Sequence, residues 1–134
     1  MQVDFVFQIA VLIMSVVIHE VSHGYTASYL GDQTARYQGR LTLNPIKHFD
    51  PVGSFLVPTV SYFLGGFIFG WAKPVPYNPY NLRPGRWSEA MVAVAGPASN
   101  ILVAIIFGLL LRVGLASGSA LAGPAFIQIT SVVV

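Results

Sequence analysis

The chain has 134 residues, 54% hydrophobic and only 9% charged, with a formal net charge of +2, a pI near 9.2 and a mean hydropathy of +0.68. Soluble domains carry about 25% charged residues, so this balance points to an all-α integral membrane protein, multi-pass in the lipid bilayer, with room for three spans of about 20 residues and part of a fourth. The scattered Lys and Arg form no basic patch interleaved with aromatics, which excludes a nucleic-acid partner; the absence of cysteine excludes disulfides, thiolate-held zinc and a cysteine nucleophile.

The first predicted helix runs from about Phe5 to Leu30, with Gly31 suited to the position after its C-cap. Met1-Gln2-Val3-Asp4 has no positive n-region and no small-residue cleavage site follows it, so the segment reads as a retained span and not a signal peptide. Its length of roughly 39 Å crosses the hydrocarbon with some tilt. Residues 32–51 form a polar connection in which Ala35 to Leu43 alternate as a short strand or hairpin would. The next apolar segment, Val52 to Trp71, is interrupted by Gly53, Pro58 and Gly65-Gly66, and reads as a kinked or partly re-entrant span.

Residues 72–86 carry four prolines and must be an extended loop. Around it Trp71, Tyr77, Tyr80 and Trp87 fit an interfacial aromatic belt. A third helix starts at Ser88, whose Ser-Glu-Ala-Met opening offers a cap and an early carboxylate, and runs to about Arg112. Pro124 to Val134 opens a partial fourth helix too short to cross. If Val52 to Trp71 crosses, the loops on opposite sides hold Arg36, Arg40 and Lys47 against Lys73, Arg83 and Arg86, and the positive-inside count ties. The whole is read as one domain, 1–134.

Chemistry concentrates in His19-Glu20-Val21-Ser22-His23. HExxH on a helix sets two imidazoles at i and i+4 on one face, where both can reach one Zn²⁺, with a carboxylate beside them to take a proton from water. The segment before it, Phe5 to Ile18, has only Gln8 and Ser15 as polar side chains, so the motif falls at membrane depth, where ionisable groups signal function. Two histidines and a glutamate could instead hydrogen-bond across a bundle without metal, but three polar groups at that depth would need several buried partners. On the third helix, Gly96, Asn100, Ala104 and Gly108 recur every four residues. The glycines and alanine read as close packing in lipid; Asn100 needs partners and could bind substrate backbone or support a developing oxyanion. The Lys73–Pro79 loop reads equally as an edge for an extended substrate and as an interface loop.

Together with Asn44-Pro45-Ile46-Lys47-His48-Phe49-Asp50-Pro51, Gly70-Trp71-Ala72-Lys73-Pro74-Val75-Pro76-Tyr77-Asn78-Pro79 and Gly96-Pro97-Ala98-Ser99-Asn100, the HExxH motif resembles the site-2 protease family of intramembrane zinc metalloproteases, peptidase family M50, in its compact bacterial form. The resemblance covers nearly the whole chain. It implies His19 and His23 as zinc ligands, Glu20 as catalytic base, Asn100 near the active site, and a transmembrane protein or peptide as substrate, cut within or near the bilayer of a bacterial cell. Catalytic zinc takes three protein ligands, and the family's third is an aspartate in an Asn-Pro-x-Pro-x-x-Asp-Gly-like motif that this sequence lacks. Val75-Pro76 matches a piece of it without the aspartate.

The sequence is therefore expected to continue past Val134 with the missing ligand. His48 and Asp50 are conceivable substitutes, as are Asp32 and Glu89. Plainer readings make Asp50 a turn initiator, Asp32 a loop residue and Glu89 a first-turn dipole partner. The rival function is a non-catalytic membrane protein that binds helices or a metal with the same residues.

Overall fold

A computed structural model of the chain describes residues 2–65 and 69–117; the expected fourth helix, Pro124 to Val134, lies outside them. The first helix, α1 (Gln2–Tyr29), contains no proline and runs for 28 residues. It ends in a Schellman turn. Gly31 adopts φ +115°, Asp32 N–H donates to Ala27 C=O (2.9 Å) and Gly31 N–H to Ser28 C=O (3.2 Å), so the last carbonyls of the helix are satisfied.

The alternation over Ala35–Leu43 does not make a strand, and no strand occurs among the described residues. Thr34–Tyr37 forms instead a single helical turn, α2, with Ala35 buried, and Gly39 (φ +63°) turns the chain so that Arg40 points inward. What looked like alternation is an inward alanine and an inward arginine on opposite sides of a turn.

The second apolar segment is not one continuous helix, and its end lies beside its start. A π-helical turn at Val52–Leu56, capped by the Asp50 carboxylate accepting from Val52 N–H and Gly53 N–H (2.9 and 2.8 Å), leads into α3 (Val57–Gly65). Pro58 follows the π-helical turn directly and offers it no N–H, which leaves the Gly53 carbonyl open to another donor. Trp71 N–H then donates to Gly53 C=O (3.0 Å), which brings the end of the segment back to its beginning.

The Pro-rich segment is extended as far as Asn78 and then takes a 3-10 turn at Pro79–Asn81, and it is tied to α1 and to the residues that follow α1 at successive points. Lys73 N–H donates to His48 C=O, Val75 N–H to Glu20, Asn78 N–H to Asp32, and Arg83 N–H to Leu30 C=O. Arg40 holds the same segment from the other side, donating from Nη2 to the carbonyls of Lys73 (2.7 Å) and Pro74 (3.2 Å). The Lys73–Val75 backbone is thus engaged within the chain and not left as an open edge.

The last described helix, α4 (Ser88–Ser117), packs along α1. Ser88 does not cap it; its hydroxyl donates back to Arg83 C=O (2.8 Å). Among the described residues this is the helix long and apolar enough to cross a membrane, over Ser88–Ala116. Ala27 and Leu30 of α1 meet Leu82 and Val92 in a small buried cluster, while most large side chains of α4 face outward. An apolar exterior on a long helix is the pattern that lipid, not water, accommodates.

Asp32 fastens the end of α1 to the loop. It is fully buried, and its carboxylate accepts from Thr34 N–H and Oγ1, from Asn78 N–H (2.7 Å) and from Asn81 Nδ2 (3.1 Å). Burial pushes its pKa up, but the hydrogen bonds from the Thr34 hydroxyl, Asn78, Asn81 and the Thr34 amide outweigh it and hold the carboxyl below its ordinary 3.8. A depressed folded value means that the stabilisation is fully present above the unfolded pKa of about 3.9 and fades as pH falls below it through the folded value. Asp32→Asn is expected to lower stability by about 1–3 kcal/mol at pH 7, and thermal unfolding in detergent at pH 3 should show the gap to wild type narrowing.

Candidate metal centre

Positions 19 and 23 are one helical turn apart, so α1 presents both imidazoles on one side, towards α4; Glu20 and Gly24 lie next around the helix, towards the Pro-rich segment. The His19 and His23 rings stand edge to face, 4.8 Å between centroids and 79° between planes. Ligand atoms of His19, Glu20 and His23 all fall within 4.8 Å of one another, and the three are half-buried. Among the described residues this is the one grouping of three or more His, Asp or Glu with metal-ligand geometry.

The second nitrogen of each ring is engaged by α4. His23 Nδ1 lies 2.6 Å from Val92 C=O, which accepts only, so Nδ1 carries the proton and Nε2 keeps its lone pair. His19 Nδ1 lies 3.3 Å from the Asn100 amide. Both free Nε2 atoms converge on Gly96. A Cβ there would lie 2.5 Å from His19 Nε2 and closer still to His23 Nε2, tighter than real side chains pack. The missing side chain thus lets both rings close against α4 with their Nε2 atoms side by side, an approach that a larger residue at 96 would block. Two soft-to-borderline nitrogen donors facing one small space suit Zn²⁺.

Glu20 is fixed by the other neighbour. Its Oε2 accepts from Val75 N–H (2.9 Å), and Val75, buried, belongs to the segment that Arg40 clamps. The carboxylate is therefore held beside the two histidines by backbone geometry. The arrangement is that of a helix-borne metallopeptidase centre: two imidazoles with a common focus and an oriented carboxylate next to it.

The remaining sequence candidates lie elsewhere. His48 is buried with Nε2 2.9 Å from Thr42 C=O, Asp50 caps the π-helical turn, Asp32 fastens the loop, and Glu89 is exposed in the first turn of α4. Asn100 does reach the centre, through His19. Three contributors escaped the sequence reading: Gly96, taken there as packing, and the backbone groups of Val92 and Val75. Only Gly96 left a signal, standing one turn before Asn100 on the same face.

The sequence matches the pattern of Peptidase family M50 over residues 7–134. It is 43% identical over 100 residues to the Bacillus subtilis protein named "Putative zinc metalloprotease YwhC", covering 75% of this chain and 42% of that one. It is 34% identical over 102 residues to the Mycolicibacterium smegmatis protein Rip2 and 30% identical to Rip2 of Mycobacterium tuberculosis, both described in the same words; each alignment covers 76% of this chain and 38% of the relative. The chain thus spans about two fifths of the length of the curated relatives it matches. No solved structure matches it significantly. The chain belongs to peptidase family M50, as the resemblance of its motifs implied.

Proposed function

We propose that residues 1–134 form the zinc-holding part of an intramembrane metallopeptidase of the site-2 type, multi-pass in a bacterial membrane, which hydrolyses peptide bonds within or near transmembrane segments. The observation that carries this is the grouping of His19, Glu20 and His23, whose ligand atoms lie within 4.8 Å of one another where Gly96 lets both rings approach α4, with Glu20 oriented by Val75 N–H. His19 and His23 would hold the metal, and a third protein ligand would come from outside the described residues. Zinc, when bound, supplies a Lewis acid that brings the pKa of water towards about 7 and polarises a carbonyl.

The chain's own residues do the rest. Glu20, steadied through Oε2, accepts the proton of the attacking water at its other oxygen and delivers it to the departing amine. Val92 keeps His23 in the tautomer that leaves Nε2 unprotonated. Beside α1 lies an apolar groove of about 610 Å³ whose walls include Leu12, Val16, Phe49, Pro58 and Trp71. Such walls suit an apolar substrate segment drawn from the bilayer. The test is cleavage of a model transmembrane peptide by the full-length protein in proteoliposomes. A zinc chelator should stop it and added zinc restore it, whereas cleavage indifferent to chelation would defeat the reading.

A further inference from the structure

We infer that Asn100 is a positioning residue for His19: its amide oxygen accepts the Nδ1 proton of the ring and so holds His19 in the tautomer whose Nε2 can take a metal. The inference rests on the zinc reading above for its purpose, but its geometry stands apart from any catalytic step.

The centre has a matched pair of supports, both from α4. On His23 the support is a backbone carbonyl, Val92, which can only accept and therefore fixes the proton on Nδ1. On His19 the atom in the equivalent place is an amide, which can face the ring with either end. With Nδ2 towards the ring, Nδ1 must be the acceptor, the proton moves to Nε2, and the nitrogen beside Gly96 carries a hydrogen in place of a lone pair. That orientation also leaves Asn100 Oδ1 buried without any hydrogen bond. A half-turn of the amide puts Oδ1 against Nδ1–H at the same 3.3 Å and gives both histidines the same protonation pattern.

The half-turn exchanges the buried, unbonded Oδ1 for Nδ2 at the same place, so the orientation is decided by the proton on the ring's Nδ1 and not by the amide's own hydrogen-bond count. Metal-binding histidines generally give their other N–H to such an acceptor, and loss of it typically costs 10–100-fold in metal affinity. Asn100 reaches the ring because it lies one helical turn beyond Gly96, on the same face of α4. The small-residue face read from the sequence therefore combines room for the two rings at Gly96 with a support for one of them at Asn100.

The experiment uses full-length protein in detergent. Zinc affinity is measured by competition with a chelator for Asn100→Asp, which keeps an oxygen acceptor, and Asn100→Leu, which has none. In parallel, ¹⁵N resonances of His19 in zinc-free protein report which ring nitrogen carries the proton. The leucine variant should bind zinc roughly 10–100-fold more weakly and lose the Nδ1–H form; the aspartate variant should keep both near wild type. Asn100→Ala replaces the leucine variant if that protein does not fold. Wild-type zinc affinity without the acceptor, or loss in the aspartate variant equal to that in the leucine variant, would overturn the inference. If the zinc reading itself failed, wild type would bind no zinc while the ¹⁵N comparison would still report on Asn100.

Discussion

Glu20→Gln is expected to leave zinc bound and to slow peptide cleavage by about 10²–10⁴-fold, the range for loss of a positioned general acid–base. The substitution is nearly isosteric, and the amide keeps an oxygen that can accept from Val75 N–H, so the Pro-rich segment should remain seated along α1. It cannot take a proton from water. The metal is held by nitrogen donors that the change does not touch, so zinc content and cleavage should separate. Cleavage at the wild-type rate by this variant would remove Glu20 from the mechanism whatever the metal does.

Gly96→Ala should abolish or severely weaken zinc binding while leaving a folded protein. Alanine is the better helix former by about 1 kcal/mol, and Gly96 lies inside α4, so the backbone itself gains from the change. The added methyl, however, falls between the two imidazoles, nearer to His19 Nε2, His23 Nε2 and His19 Cδ2 than real Cβ atoms approach. The rings must swing away or the helices must separate; in either case the two lone pairs lose their common focus. Zinc analysis together with circular dichroism would show a helical, metal-poor protein. Full zinc occupancy in this variant would mean that the metal does not sit between α1 and α4 as described.

Much of this centre is legible in the sequence because helix periodicity is rigid: HExxH at i and i+4 fixes the relative placement of His19 and His23 before any tertiary contact is known. Gly31 as helix terminator is an equally local inference and holds; the amide of Asn100 draws notice for the same local reason, and its neighbour is His19. What the residues could not disclose is tertiary. Alternation at Ala35–Leu43 mimicked a strand because Arg40 is buried for a reason 33 residues away, at the carbonyl of Lys73.

Val52–Trp71 has the apolarity of a span, and only the Trp71–Gly53 hydrogen bond reveals that it returns. Val92 and Val75 act through backbone atoms, which every residue possesses, so no side-chain pattern could have marked them.

The most direct test of the centre is zinc per chain in full-length protein, measured for wild type, His19→Ala, His23→Ala and Glu20→Gln prepared alike. The structure predicts about one zinc in wild type and in Glu20→Gln, and almost none in either histidine variant, because one remaining imidazole leaves catalytic-type coordination too poor to retain metal through purification. Undiminished zinc in His19→Ala and His23→Ala would contradict the assignment of the two histidines as metal ligands.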